Sequence, residues 1–174
     1  TDIPMINIHP TLLPVGRGVW PMPEIIMRGY DTSGVTFHKI TNEFDEGDIV
    51  LQCSFSLDKR ENHMTYMKKV CGLLPEMVDI LISDFSRLYE AARAQGEGLY
   101  FENFNEDRYT LTSQMTIEEA DLILRAFYGY ECIFNTGNKL YEIIGANVTD
   151  TIHEGYIGFP LKDGYVETKI AREL

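Results

Sequence analysis

The sequence predicts an α/β protein, with an open sheet over residues 1–100 and a small α+β module over residues 105–174. Three observations predict it. Val35-Thr36-Phe37-His38-Lys39-Ile40 alternates in strand fashion, and a further strand from Asp48 to Phe55, with the apolar run Ile49-Val50-Leu51, follows it closely. From Glu61 to about Gln95 the pattern turns helical. Near residue 100 the composition shifts, and a capped helix with short strand-like segments follows.

The chain has 174 residues, enough for one sizeable domain or one domain with an appendage. Hydrophobic content of 44% and charged content of 24% suit a globular protein, and no apolar run approaches the ~18 residues of a membrane span. Thr1-Asp2-Ile3-Pro4 lacks an initiating Met and the layout of a signal peptide, so it reads as a cut inside a longer chain. Cys53, Cys71 and Cys132 have no CxxC spacing. Buried free thiols in a reducing, cytoplasmic compartment are the expectation. The net charge of −12 argues against a nonspecific grip on nucleic acid.

Taken in order, residues 4–9 read as a short buried strand and Pro10–Pro23 as a loop of fixed shape, dense in Pro and Gly. A brief helix opens at Pro23 and stops at Gly29. Asp31–Gly34 is a turn into the alternating strand, whose Thr36 and His38 share a face expected to look toward the functional site. Pro75 should kink the long helix or split it in two. Val78, Ile80, Leu81, Phe85, Leu88 and Tyr89 form its apolar stripe, expected to be core. Residues 101–107 read as a connector, and Thr116-Ile117-Glu118-Glu119 as a capping box. A hairpin turns at Thr136-Gly137-Asn138, and residues 152–160 and 164–170 are two further strands.

The chemistry concentrates in Asn7-Ile8-His9-Pro10 and in Phe44-Asp45-Glu46-Gly47-Asp48. Asn7 and His9 lie at i and i+2 on one strand face, and Pro10 ends the strand there. An imidazole, a carboxylate that tunes it and an amide donor suit acyl transfer: Asn and protonated His to steady an oxyanion, Asp with a bound water to relay a proton. Singly, each has a structural reading: a bonded strand-end His, an Asp that forms its own turn, an Asn satisfying a loop. There is no G-x-S-x-G elbow, and His9, His38, His63 and His153 show no zinc-ligand spacing.

Asn7-Ile8-His9-Pro10-Thr11-Leu12-Leu13-Pro14, then Arg17-Gly18 and Pro21, Gly34–His38 and Asp45–Gln52 resemble, in order and spacing, the folate-dependent formyltransferases that act on glycinamide ribonucleotide, methionyl-tRNA or sugar nucleotides. The resemblance implies the C-terminal half of a formyltransferase-type Rossmann-like open sheet. That family has a further half, with about four parallel strands, ahead of the Asn-x-His motif. The resemblance also implies that Asn7, His9 and Asp45 match the catalytic Asn, His and Asp, with Thr36 at a hydroxyl-bearing position near the catalytic water. Phe44, Glu46 and Gly47 become candidate cofactor contacts, and Arg17, Gly18 and His38 candidate substrate contacts. The implied formyl donor is 10-formyltetrahydrofolate, with no metal, and the implied acceptor is a primary amine.

Residues 101–174 hold 6 basic and 13 acidic residues, a balance of −7, which disfavours tRNA. An amino sugar nucleotide or similar small amine is therefore the expected acceptor, with methionyl-tRNA as the alternative. A homodimer is allowed, and no membrane partner is expected. The competing reading is a truncated, catalytically idle binding or assembly module with an exposed sheet edge.

Overall fold

The computed structural model describes residues 3–102 and 105–174. These fall into two compact units, residues to 61 with 65–102, and residues 62–64 with those from 105 onward.

The first unit begins with β1 (Ile6–His9), β2 (Val15–Arg17), α1 (Pro21–Met27), β3 (Thr32–Lys39) and β4 (Ile49–Ser56). Strands β1, β3 and β4 form an antiparallel sheet with β3 central. Its register sets Asn7 opposite His38 and His9 opposite Thr36. Cross-strand partners share a face, so this pairing gathers the polar residues of β1 and β3 into one patch. Both faces of β3 are covered, with Val35, Thr36 and Phe37 fully buried and His38 2% exposed. Strand β1 is an edge strand whose Ile8 is 45% exposed, not the fully buried strand its sequence suggests. Residues 32–34, expected to turn, extend β3 instead: they pair with Ser54–Ser56, and a Cβ on Gly34 would meet the Cys53 carbonyl.

Helix α1 begins at Pro21, two residues earlier than expected, and Gly29 turns the chain with φ +67°. The breaker-rich loop ahead of it is pinned by long-range bonds. The Thr36 hydroxyl donates to the Thr11 carbonyl at 2.6 Å and accepts from the Leu13 N–H at 3.1 Å. Tyr66 donates to the Pro10 carbonyl at 2.7 Å.

Helix α2 (His63–Ser83) runs through Pro75, and the break falls at Asp84, before α3 (Phe85–Glu90). Pro75 removes a donor that would have bonded the Cys71 carbonyl. Cys71, Gly72 and Pro75 are all exposed, so water can satisfy that carbonyl. The expected apolar stripe is not core: Val78, Leu81, Phe85, Leu88 and Tyr89 are half-buried and Ile80 is 43% exposed, and the buried residue of this stretch is Met77 instead. A 21-residue helix is about 30 Å long, and a three-stranded sheet spans only about 15 Å. Among the cysteines only Cys132 is buried; Cys53 is half-buried and Cys71 exposed, against the expectation of buried thiols. Strand β5 (Leu99–Tyr100) pairs in parallel with β2 and closes the unit.

The second unit opens with a 3₁₀ turn at Glu106–Tyr109, then β6 (Thr110–Thr112) and α4 (Ile117–Ala126). The capping box forms: the Thr116 hydroxyl accepts from the Glu119 N–H, and the Glu119 carboxylate from the Thr116 N–H. Strands β7 (Cys132–Asn135) and β8 (Leu140–Ile144) make the hairpin around residues 136–138. They are followed by β9 (Asn147–Thr149), β10 (Ile157–Pro160), β11 (Tyr165–Thr168) and β12 (Ile170–Glu173). Two sheets result, ordered β12-β8-β7-β6 and β10-β11-β9. Phe134, stacked on Phe159, together with Leu111, Phe127 and Val166 forms the buried centre.

Candidate functional site

The end of β1 and the acidic turn meet. Asp45 takes a left-handed backbone, φ +56°, a conformation that Asp tolerates better than most residues. That turn directs its carboxylate at β1. One oxygen, Oδ1, lies 3.5 Å from His9 Nδ1, 3.6 Å from His38 Nε2 and 3.4 Å from Asn7 Nδ2. The other, Oδ2, accepts the Gly18 N–H at 2.9 Å. Gly18 has φ +115°, and a Cβ there would sit 2.7 Å from the Phe101 carbonyl oxygen, so the close approach requires glycine.

His9 is 4% exposed. Its Nε2 lies 2.6 Å from the Gly16 carbonyl, which can only accept, so the hydrogen of neutral His9 sits on Nε2. Nδ1 then carries a lone pair and faces Asp45. Burial pulls the imidazole below its usual pKa despite the raising effects of the Gly16 carbonyl and Asp45; nearby His38 lowers it further. Burial would push the Asp45 carboxyl up. The neighbouring His38, the bond from the Gly18 N–H, and the positive charge that His9 and His38 carry whenever they are protonated outweigh that and hold it below the usual carboxylate range. At neutral pH the pair is therefore a neutral imidazole facing a carboxylate, one proton short of an ion pair.

A cavity of about 360 Å³ opens over this cluster, lined by Asn7, His9, Gly18, Trp20, Phe44 and Asp45 among others. Its rim is apolar and exposed, with Phe44 at 85% and Val19 at 83%. Of the residues singled out in the sequence, Asn7, His9, Asp45, Gly18 and Phe44 thus line one cavity.

The others stand behind it. Thr36 is fully buried, and besides its bonds to the loop its hydroxyl accepts from Gln52 Nε2 of β4 at 2.8 Å. His38 contacts Asn7 at 3.1 Å from within the sheet. Arg17, 5% exposed, donates to Gln95 Oε1 at 2.9 and 3.1 Å, to the Gly96 carbonyl at 3.2 Å and to Glu46 at 3.3 Å. Glu46 also accepts from Tyr100 at 2.7 Å. Gly47 passes so close to β3 that a Cβ would lie 1.8 Å from the Lys39 carbonyl oxygen.

Sequence reasoning missed Gln95. Its amide donates to the Asp45 and Gly47 carbonyls, each at 2.7 Å, while its oxygen receives Arg17. One side chain, fifty residues away, clamps the acidic turn. Nothing local in the sequence marks it, because its partners are distant backbone carbonyls.

Among the described residues no group of three His, Cys, Asp or Glu side chains is placed to hold a metal ion. No helix is long and apolar enough to cross a membrane.

The formyl transferase family profile matches residues 2–78. Methionyl-tRNA formyltransferase of Ehrlichia ruminantium (strain Gardel) is 31% identical over 135 residues, which cover 78% of this chain and 44% of that relative. The chain thus spans less than half the length of that curated relative. HypX from Aquifex aeolicus, solved in complex with tetrahydrofolic acid, superposes with a TM-score of 0.83 at 18% identity, covering 98% of this chain and 32% of its own. The N-formyltransferase from Helicobacter canadensis, solved with folinic acid and dTDP-3-aminofucose, gives 0.61 at 21% identity, covering 98% and 66%. At these identities the solved structures establish a shared fold, the Rossmann-like α/β architecture expected from the sequence. Sequence match and site motif agree, and through residues 2–78 the chain belongs to the formyl transferase family.

Proposed function

We propose that this chain carries the proton-transfer and oxyanion machinery of an N-formyltransferase, which moves a formyl group from 10-formyltetrahydrofolate to a primary amine. The observation that carries the reading is the convergence of Asn7, His9 and Asp45 at one cavity. The cavity suits a folate: its exposed Phe44 and Val19 and half-buried Trp20 offer flat apolar contact beside a polar end made by the three residues. The donor, when bound, supplies a formyl carbon activated toward an amine.

The chain's own groups divide the remaining work. An attacking amine must lose a proton, and the nitrogen that releases the formyl group must gain one. His9 Nδ1, its lone pair held in place by the Nε2–H bond to Gly16, can take the first and return it to the second as the old C–N bond breaks. Asp45 stabilises the imidazolium that forms, at 3.5 Å from the atom that receives the proton. This assigns the proton to neutral His9, where the sequence alone suggested a protonated His and an Asp-bound water. Asn7 Nδ2 offers a hydrogen to the carbonyl oxygen as negative charge develops on it. The Gly18 N–H fixes the Asp45 carboxylate, and Phe44 covers the cavity mouth.

The acceptor we favour is an amino sugar nucleotide or similar small amine, in a cytoplasmic setting. The acidic balance of residues 101–174 supports this over a polyanionic acceptor. Methionyl-tRNA is the second reading, favoured by the identity to methionyl-tRNA formyltransferase.

The test is turnover of 10-formyltetrahydrofolate by the full gene product, with an amino sugar nucleotide or methionyl-tRNA as acceptor. His9→Ala and Asp45→Asn should each lower kcat by roughly 100- to 10,000-fold while KM changes little. Retained rates would remove their assignment. Folate binding without turnover on any amine would leave the idle binding module as the function.

A further inference from the structure

We propose that His38 is a positioning residue for Asn7: its Nε2 lone pair takes one hydrogen of the Asn7 amide and so aims the other at the reacting oxygen. The proposal rests on the formyl-transfer reading above and moves His38 from the cavity wall, where the sequence placed it as a substrate contact, to one step behind. His38 is 2% exposed and stands directly opposite Asn7 in the β1–β3 register.

The assignment follows from what each atom can do. His38 Nδ1 lies 2.9 Å from the Lys39 carbonyl, which only accepts, so Nδ1 carries the hydrogen. A neutral imidazole has one N–H, which leaves Nε2 as an acceptor. Asn7 Nδ2, 3.1 Å away, can only donate, and the two match. The second amide hydrogen points at Asp45 Oδ1 across a longer 3.4 Å. That weaker contact is the one an oxygen gaining charge in the cavity can replace, while His38 keeps its own.

The groups facing His38 are Asn7 and His9 from β1 and Asp45 from the acidic turn. The His9 ring stands edge-on at 6.3 Å between centroids, and Asp45 Oδ1 is 3.6 Å from Nε2. Lys39 turns its ammonium away, to Asp48 at 3.3 Å. Ile49, opposite on β4, carries no charge. A second proton, placed on Nε2, would remove the acceptor. Asn7 would then have to turn its amide over and offer Oδ1 to His38, taking its N–H away from the site. Neutral His38 is thus the working form.

The test uses the full gene product, its His38→Leu and His38→Gln variants, and Asn7→Ala. Long-range ¹H–¹⁵N spectra should place the His38 hydrogen on Nδ1. The Asn7 side-chain amide pair should shift in His38→Leu and stay near its original position in His38→Gln, whose amide oxygen can accept the same hydrogen. In turnover, His38→Leu should lower kcat by roughly 100-fold, the order expected for loss of one oxyanion donor, with KM within about threefold. The His38→Leu/Asn7→Ala double variant should be no slower than Asn7→Ala alone.

A hydrogen on Nε2, an unmoved Asn7 amide in His38→Leu, or additive losses in the double variant would overturn the proposal. The spectra report the tautomer and the amide whether or not the protein turns over. Expected spectra with an inactive parent protein would count against formyl transfer and leave the positioning of Asn7 supported.

Discussion

Replacing Gln95 by Ala tests whether the acidic turn is held from outside itself. The side chain makes four contacts: two donated bonds of 2.7 Å to the Asp45 and Gly47 carbonyls, and two accepted from Arg17 at 2.9 and 3.1 Å. Neutral bonds contribute about 1 kcal/mol each, and an acceptor serving a charged donor contributes about 1.5–3 kcal/mol. With the shared Oε1 acceptor taken once, the sum is about 3.5–5 kcal/mol for a buried residue. Gln95 is half-buried, so water can replace part of the loss and about 2–3 kcal/mol is expected. Urea unfolding with linear extrapolation measures it, with the slope unchanged.

Gln95→Glu separates the two halves of the clamp. It keeps an acceptor for Arg17 and turns an acceptor toward the two carbonyls. It should therefore preserve the Arg17 contact while loosening Asp45, lowering kcat more than it lowers stability. A loss below about 0.5 kcal/mol for Gln95→Ala, with unchanged turnover, would refute the clamp, because a side chain that clamps nothing behaves as an ordinary surface residue.

Acid should destabilise the protein from about pH 6.5 downward. Burial lowers the pKa of both His9 and His63, so their neutral forms are favoured in the fold; stability is complete above the unfolded value of 6.5 and falls as pH drops through the folded values. Urea midpoints across pH should trace this, and His63→Phe should shrink the slope, since His63 Nε2 is buried with no hydrogen-bond partner among the described residues. Gly47→Ala should cost about 1–3 kcal/mol or displace the acidic turn, because a Cβ there would meet the Lys39 carbonyl oxygen at 1.8 Å; unchanged stability and turnover would show that the turn has slack. A thiol reagent should label Cys71 first and Cys132 only on unfolding, since Cys132 is buried and its thiol is pushed up to about 12; fast labelling of Cys132 in the folded protein would contradict its packing.

How far the sequence could be read depended on the range of the interaction. Asn7 and His9 share a face because strand geometry repeats every two residues, and that much follows from spacing alone. The capping box at Thr116 and the hairpin at residues 136–138 are equally local, and both form. Thr36 and His38 share a face for the same reason, but whether they reach a cavity depends on register. With His9 opposite Thr36, the loop at Thr11 and Leu13 closes over the Thr36 hydroxyl. The chain does form two consecutive helices, but the split falls at Asp84 and not at Pro75, because a helix on an exposed surface can leave one carbonyl to water. Strands of two or three residues, such as β2 and β5, carry no periodic signal; their pairing is visible only once folded.

The clamps on the acidic turn and the tautomers of its histidines serve one end. Each histidine has one nitrogen fixed by a backbone carbonyl, His9 Nε2 by Gly16 and His38 Nδ1 by Lys39. Each therefore presents a lone pair toward the same Asp45 oxygen. Two lone pairs facing a carboxylate are mutually unfavourable unless hydrogens intervene. The Asn7 amide supplies two, toward His38 and toward Asp45. The His9 side has none, and under the proposed formyl-transfer reading that is where a proton from the attacking amine would be stabilised most. Holding this unfilled arrangement open requires rigid surroundings, since a mobile Asp45 would swing away. Gly18, Gln95, Glu46 with Arg17, and the close pass of Gly47 against Lys39 are what keep it from doing so.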